Sequence, residues 1–547
     1  MRRERCEIIE SAYAGNILLV YPQIPQDTYW SFSRILHYIG KKSSSAPLGL
    51  TTIASLIPER YRLKLVDMNV DPLTDEDIDE ADVVFTSSML VQKESLADVI
   101  KRVQARDRKV VVGGPYPTQF FDEIPEADHF VLGEAESGVL DAFFNDYENG
   151  GAKKAYARHM IRPQKKGNSI DVKAYEELQQ FFGDKEDIQL VRKRPPMSES
   201  PLPRFDLLDI NAYAAMAVQL SRGCPYQCHF CNEPALFGHV PRLKTGEQMV
   251  AELEKLVSLG YTGSVFVVDD NLVGNKRDVK KVLRPIIDFQ EKNDYPLDFY
   301  TEADITLAID PDLMELMRDA GFNMAFVGIE SPDEDVLKFL GKSHNLRMDT
   351  LEAVRRIQAY GIEVSAGLIV GNDDDPPDIH EKTFDFCQKA GIPTAMVSPL
   401  NVMKGSVLYE NMKAEGRLVS NFTGNNTHNV SVNFIPRKSR PEDIIRDYNT
   451  LLDNLYDESG ENYFERCNVL FDNLGTHPKP SRSIGLSELK ALGMSALLQT
   501  FFRPHSKEYR RFVAHTLKHH RQKFPEAITK AIIYQHFRSI TEDALKP

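Results

Sequence analysis

MAVQLSRGCPYQCHFCNEP, residues 216–234, passes from a short apolar run into a loop that sets Cys224, Cys228 and Cys231 at gaps of three and two residues. Only six cysteines occur in 547 residues, and Cys6, Cys387 and Cys467 are scattered. That usage does not make a secreted disulfide framework, and in a reducing compartment a cysteine cluster points to metal or catalysis. Downstream, SVFVVDD, LDFYTEA, MAFVGIES, VSAGLIVGND and TAMVSPL repeat the strand signal, each pair separated by a helical period. Thr245 and Gln248 form a capping box for the first such helix, whose Met249, Val250, Leu253, Leu256 and Val257 share one face before Gly260. Six βα repeats are too few for a closed eight-fold barrel, so an open, partial (β/α)6 barrel is expected over 211–410.

Three thiolates suit three irons of a cubane cluster, leaving the fourth iron open to a small molecule. A structural zinc site would need a fourth ligand, and His229 inside the motif is the nearby candidate. Chance buried cysteines are the third reading.

A chain of 547 residues exceeds one core, so several units are expected. After a tail over 1–15, the stretch 16–145 alternates strand and helix through NILLVYP, YRLKLVDMNV, ADVVFTSSM, KVVVGGPYP and HFVLGEAE. This pattern predicts a doubly wound, Rossmann-like domain with helices on both faces of a parallel sheet. Regularity fades over 146–210, where the proline-bearing VRKRPPMSESPLPRF is read as a linker with solvated charge. Helical periods dominate 411–547, a helical C-terminal domain. The fold class is α/β throughout, apart from that last region.

Net charge is −14 and the isoelectric point near 5.6, which speaks against nucleic acid as a partner. No run approaches the roughly 18 apolar residues of a membrane span, and MRRERCEIIE lacks the apolar core of a signal peptide. A soluble, cytoplasmic protein is expected. Residues 501–523 hold seven Lys or Arg against one Glu, with Phe501, Phe502, Tyr509, Phe512, Val513 and Leu517 interleaved. Either a basic helix resting peripherally on anionic lipid or a helix packed on the barrel fits this pattern. His515 and His519, four apart, lack a further nearby ligand and are read as ordinary surface histidines. VLKFLGKS ends like a phosphate loop, but Val336 occupies the first glycine's place.

Cys224-x3-Cys228-x2-Cys231, with Phe230 before the last cysteine and the loop following the first strand of a partial barrel, resembles the radical S-adenosylmethionine (SAM) superfamily. The resemblance implies a 4Fe–4S cluster whose open iron chelates SAM, and release of a 5′-deoxyadenosyl radical that abstracts hydrogen from an unactivated carbon. It also implies SAM contacts from Phe230, from Asp269 and Asp270 at the second strand's end, and from Glu330 at the fourth. Gly367, Ile369 and Gly371 would complete them beside the adenine, with Asp374 where the pattern usually has Glu. Each acid alone is as well explained by a helix cap, and Glu302 in FYTEAD is a rim residue without an assigned role.

Ser88 and Leu90 in SSMLVQ, followed by Gly113 and Gly114 at the next strand's end, are similar to the cobalamin-binding domain of methyltransferases and mutases. The usual histidine after the first strand is missing, since YPQIPQDTYWSF follows instead. A domain that has lost cobalamin is the alternative. Taken together, the chain resembles B12-binding radical SAM proteins with a helical C-terminal extension, a group that includes hopanoid methylases. Asn232 in place of the usual Asp, and VMKGSVLY without P-G-T, depart from that group, so its hopanoid substrate is not carried over. The resemblance implies a methylase of an sp3 carbon, with methylcobalamin as donor, a small-molecule or lipid-like substrate and a flavodoxin- or ferredoxin-type electron donor. Ring formation, ring contraction or carbon–carbon coupling without methyl transfer, and a non-catalytic iron–sulfur sensor, are the alternatives.

Overall fold

The structure, a computed structural model, describes residues 14–158, 172–183, 185–191, 193–420, 422–424, 431–476, 493, 499–500 and 503–546. Sixteen strands in the described residues form two seven-stranded sheets and one small hairpin. The first sheet contains β1 (Gly15–Tyr21), β3 (Tyr61–Asp67), β4 (Val83–Ser87), β5 (Lys109–Gly113), β6 (His129–Leu132), β7 (Ala155–Arg158) and β8 (Ile188–Val191), all parallel, in the order β3-β1-β4-β5-β6-β7-β8. Alternate residues feed two separate cores. Leu18, Val20, Val84, Val110 and Val112 enter one, while Ile17, Leu19, Val83, Phe85 and Val111 enter the other. Period-two burial on both faces is what makes such strands read as continuous apolar runs.

This sheet does not stop at 145. β7 and β8 lie inside the stretch expected to be linker, where AYAR and IQLV are too short and too isolated to show a strand period. Their pairing with β6 and with each other supplies the order that local propensity does not.

The second sheet follows the order β16-β15-β14-β13-β12-β9-β2, from β2 (Ser43–Ser45), β9 (Tyr213–Val218), β12 (Gly263–Val267), β13 (Leu297–Ala303), β14 (Phe322–Glu330), β15 (Glu363–Val370) and β16 (Ala395–Pro399). The remaining β10 (Ser221–Arg222) and β11 (Arg242–Leu243) pair antiparallel beside the cysteine loop. All six expected barrel strands are present, with β2 added at the edge. Its sequence, SSS, carries no strand signal, yet Ser43 and Ser45 pair with Tyr213 and Ala215. β2 covers one open edge of the half-barrel. At the other, Tyr456 accepts from Ala395 N and donates to Ala395 O, so both edges are blunted.

The half-barrel is filled on one side only. Val265, Val267, Phe299, Ala325, Val327, Val364, Ala366 and Leu368 face outward into a continuous core with Met249, Leu253, Leu283, Met317, Val354 and Ile357 of the surrounding helices. At about 1.5–3 kcal/mol per fully buried side chain, this layer accounts for most of the sheet's stability. The alternate residues Phe266, Tyr300, Glu302, Phe326, Gly367 and Ile369 line the concave side and stay half-buried. The capping box stands as expected, Thr245 and Gln248 heading the helix Gly246–Ser258.

After the barrel come helices Pro441–Leu455, Glu461–Asn473, Ser506–His519 and Phe524–Ala544. The basic helix packs its apolar face inward: Phe512 stacks on Phe464 at 5.0 Å, and Tyr509 and Thr516 are buried. Most of the apolar face that a lipid surface would need is therefore occupied by protein, with Leu517 left exposed. Phe501 and Phe502 lie outside the described residues. His515 and His519 meet at 4.6 Å between ring centroids, but among the described residues no group of three His, Cys, Asp or Glu converges as metal ligands.

Candidate active site

Cys224, Cys228 and Cys231 lie on the loop after β9 and β10, at the carboxyl rim of the half-barrel, all unbridged and half-buried. The loop is held by the segment after β14. His229 N donates to Leu340 O at 2.8 Å, its Nδ1 to Phe339 O at 2.7 Å, and Leu408 N donates to His229 O at 2.8 Å. His229 is thus a strut whose ring packs on Gly341, where any Cβ would strike it at 2.7 Å. The His229 ring is turned to Phe339 and Gly341, and among the described residues it does not join the thiols in a group of converging metal ligands, so no Cys3His zinc site is formed. Three soft thiol donors on one loop suit a multi-iron cluster. Burial pushes all three thiols up, Cys228 to about 11, so the protein alone keeps them protonated until metal displaces the protons. Asn271 donates from Nδ2 to Cys224 Sγ at 3.7 Å and to Asp304 Oδ2 at 2.8 Å.

The strand-end acids separate into different jobs. Asp269 belongs to the outward face: Oδ1 accepts from Leu220 N at 2.7 Å and Oδ2 from the Ser221 hydroxyl at 2.5 Å, and it is fully buried. It braces the start of the cysteine loop, with both oxygens engaged there and the side chain fully buried away from the concave side. Asp270 points the other way, its carboxyl hydrogen-bonded to that of Glu233, with no further donor reaching Asp270 Oδ2 or Glu233 Oε2. Burial raises both; Glu233 pushes Asp270 up further, whereas the bond to Asp270 draws Glu233 down and Glu302 pushes it up, so the pair retains a proton near neutrality. Glu302 stands nearby, pushed up to about 8 by burial, then by Asp270, Asp269 and Glu330.

Glu330 ends β14 in the left-handed region, φ +63°, beyond a register shift after Gly328. Its carboxylate pairs with buried Lys342, which also lies 5.8 Å from the centroid of the Phe230 ring. Burial alone would lower the Lys342 ammonium, but Glu330 and Cys228 outweigh it and hold it above its ordinary value. A side chain on residue 328 would collide with this pair, which is why glycine stands there. Phe230 and Ile369 pack on one apolar cluster around Leu400, Val402, Leu408 and Phe434. Gly367 lies under the Phe326 ring, 2.9 Å from where its Cβ would be; Gly371, at φ +82°, leaves room for Ile444 of the C-terminal domain. Asp374 turns outward to Lys438 at 3.2 Å, while Asp375 accepts from Gly371 N and Asn372 N at 2.6 and 3.0 Å.

Facing this rim is the carboxyl edge of the first sheet. The order β3-β1-β4 reverses direction between β1 and β4, the place where doubly wound sheets open a crevice. Ser88 follows β4; its hydroxyl and that of Thr86 are buried without a partner, two polar groups positioned for a ligand. Leu90 begins the short turn Leu90–Gln92 and packs on the sheet, with Met89 exposed beside it. Gly114, at φ +93°, is required by its own chain: a Cβ there would meet Ser87 Oγ at 2.6 Å and Ser88 N at 2.8 Å. Gly113 similarly meets Val131 O at 3.1 Å.

A buried ion cluster locks the two rims together. Glu134, after β6, receives Arg242 at 2.8 and 3.1 Å, Arg222 at 3.1 Å and Arg194 at 3.4 Å, while Glu136 pairs with Arg222 at 2.8 Å. Burial alone would raise Glu134, but Arg242 and Arg222 hold it below its usual value. Because Arg222 is two residues before Cys224, the clamp fixes the cysteine loop against the first domain. Asn232 adds a bond to Gln119 at 2.8 Å, and Lys404 one to Asp122 at 2.7 Å. Sequence reading missed this clamp, Asn271 and Lys342. Only VLKFLGKS drew attention to Lys342, and as a failed phosphate loop.

Three segments match known families: residues 42–142 the B12 binding domain, 218–387 the Radical SAM superfamily, and 406–547 a domain of unknown function, DUF4070. An uncharacterized methyltransferase of Synechocystis sp. is 35% identical over 531 residues, covering 96% of this chain and 92% of that protein. A hopanoid C-2 methylase of Rhodopseudomonas palustris is 34% identical over 376 residues, 68% of this chain and 65% of that one. Among solved structures, TsrM of Kitasatospora setae, a radical S-adenosylmethionine methyltransferase with cobalamin and a 4Fe–4S cluster bound, superposes with a TM-score of 0.57 at 14% identity, covering 94% of this chain and 98% of that one.

Proposed function

The chain belongs to the B12-binding radical SAM family, and from that premise we propose that it is a C-methyltransferase acting on an unactivated sp3 carbon. One observation carries the reading: a three-thiol loop and an edge with two orphaned hydroxyls face each other across a buried clamp. When bound, the 4Fe–4S cluster with SAM supplies a hydrogen-abstracting radical, and cobalamin supplies a transferable methyl group. Cys224, Cys228 and Cys231 would hold three irons, and the Asn271 amide would orient the Cys224 sulfur. Asp270 with Glu233 is the carboxyl pair able to take a cation, since Asp269 is consumed by the loop. A cation arriving at Asp270 Oδ2 releases the shared proton. Glu330 and Lys342 present opposite charges beside Phe230, while Ile369, Gly367 and Gly371 leave a flat apolar wall for a nucleoside. Ser88 and the Gly113–Gly114 turn would hold cobalamin. The stretch 22–32 after β1 carries no histidine that would help to hold cobalamin.

Methyl transfer, rather than ring formation, coupling or sensing, is favoured by relatives named methyltransferase and methylase. A flavodoxin- or ferredoxin-type donor and a cytoplasmic setting complete the reading, supported by three thiols that need a reducing environment. Among the described residues no helix is long and apolar enough to cross a membrane. The test is anaerobic reconstitution with iron, sulfide and hydroxocobalamin, followed by assay of both SAM products. Deoxyadenosine and S-adenosylhomocysteine in equal amounts are expected. Deoxyadenosine alone would replace methylation by another radical reaction, and neither product under strong reductant would remove the radical assignment.

A further inference from the structure

The loop after β1, where related cobalamin domains carry histidine, runs instead into the open side of the half-barrel. Trp30, the chain's only tryptophan, lies parallel to Phe266 at 6.3 Å and edge-on to Phe326 at 5.2 Å, while Phe266 stacks on Tyr300 at 4.8 Å. The tryptophan is held in place from both sides. Tyr29 Oη donates to Val397 O of β16 at 3.0 Å, and His536 Nε2 donates to Tyr29 O at 3.1 Å. Yet Trp30 is 38% exposed, and the concave side chains of β12 to β15 stay half-buried while every outward neighbour is sealed. An aromatic, half-exposed inner wall roofed by a loop is a surface suited to an apolar ligand.

Its charge is one-sided. Glu302 projects from the same face, two residues beyond Tyr300, with no hydrogen bond to its carboxyl among the described residues. Asp270 and Glu233 are buried at its upper end, their carboxyls hydrogen-bonded to each other and with no further donor at Asp270 Oδ2 or Glu233 Oε2. The cation at that rim, Lys342, is consumed by Glu330. Carboxyls crowded on one wall disfavour a further phosphate or carboxylate, while Glu302, pushed up to about 8 and mostly protonated at pH 7, offers its carbonyl oxygen to a hydroxyl and can ionise against an ammonium.

We propose that the substrate taken on this concave face is a compact apolar ring-bearing molecule whose polar end is a hydroxyl or ammonium donor, with Trp30 forming the wall and Glu302 the polar anchor. The proposal rests on the methyltransferase reading for its location, because the cysteine loop and Asp270 stand at the rim of this face. Substrate selection would then come from the first domain's loop as well as from the barrel.

Trp30 makes the test direct, since all tryptophan emission comes from this face. The full chain is titrated with 1-adamantanol, 1-adamantanamine and 1-adamantanecarboxylate, following emission and, in parallel, calorimetry. The alcohol and the ammonium are expected to shift Trp30 emission and to bind about tenfold or more tighter than the carboxylate, equivalent to about 1.4 kcal/mol. Glu302→Gln should erase most of the ammonium's advantage over the carboxylate, and Phe326→Leu should weaken all three probes together. Equal affinity for the carboxylate, calorimetric binding that leaves Trp30 emission unchanged, or no binding by any probe would each overturn the proposal. SAM cleavage measured on the same reconstituted protein separates the two failures: cleavage without probe binding sinks the proposed substrate class alone, and probe binding without cleavage sinks the methyltransferase reading.

Discussion

Replacing Glu134 by alanine removes the anion shared by Arg194, Arg222 and Arg242 at the junction of the two rims. Its side chain is 1% exposed, so water does not reach in to compensate. After the change Arg222 keeps Glu136 at 2.8 Å, and Arg242 keeps the carbonyls of Pro195 at 2.5 Å and Phe237 at 3.2 Å. Two positive charges nevertheless remain buried without a counter-ion. Breaking a buried pair from one side costs about 3–5 kcal/mol, a shift of roughly two to three and a half decades in the equilibrium that holds the domains together. Urea denaturation under anaerobic conditions, read through Trp30, reports that equilibrium because Trp30 belongs to the first domain and touches Phe266 and Phe326 of the barrel. The variant's first transition should move to lower urea and separate from unfolding of the barrel. The sign with pH follows from the lowered Glu134 carboxyl: its contribution is complete above the ordinary value of 4.5 and is lost as pH falls through the lower folded value. The variant and the parent should therefore converge in acid. A loss below about 1 kcal/mol at pH 7, or a difference that does not shrink in acid, would refute the clamp.

Ser88→Val should leave the fold intact and weaken cobalamin binding about fivefold, measured by equilibrium dialysis against hydroxocobalamin, because one charge-free hydrogen bond contributes about 1 kcal/mol. Lys342→Met strands the buried Glu330 carboxylate; a loss of about 3–5 kcal/mol and of the SAM-induced change in the cluster's electron paramagnetic resonance spectrum is expected. Glu302→Gln should stabilise the ligand-free protein by about 1–3 kcal/mol at pH 8 but little at pH 4.5. The sign follows because a raised carboxyl binds more protons folded than unfolded between 4.5 and about 8, so parent stability falls as pH rises across that window. Thermal melts of both proteins at the two pH values check it.

The six barrel strands were legible because each is sealed on its outer face by helices, which demands apolar residues at every second position or more. The cysteine loop was legible because its chemistry depends on short spacings along the chain. β2, β7 and β8 were not legible, since SSS, AYAR and IQLV owe their extended form to a neighbouring strand rather than to their own composition. The strand-end acids show the same limit at the site. Asp269 and Asp270 are adjacent and chemically alike, but a strand turns successive side chains to opposite faces, so one braces the loop and the other opens to the rim.

The sequence by itself determined the two sheet architectures, the three thiols and the hydroxyl and glycines at the first sheet's edge, because all of these are written in local period and spacing. Only the tertiary structure decided that Glu134 holds three arginines, that Lys342 neutralises Glu330 and that Trp30 roofs the half-barrel. These partners lie 12 to nearly 300 residues apart, and their energies depend on shared burial and mutual distance. No local pattern encodes such pairings.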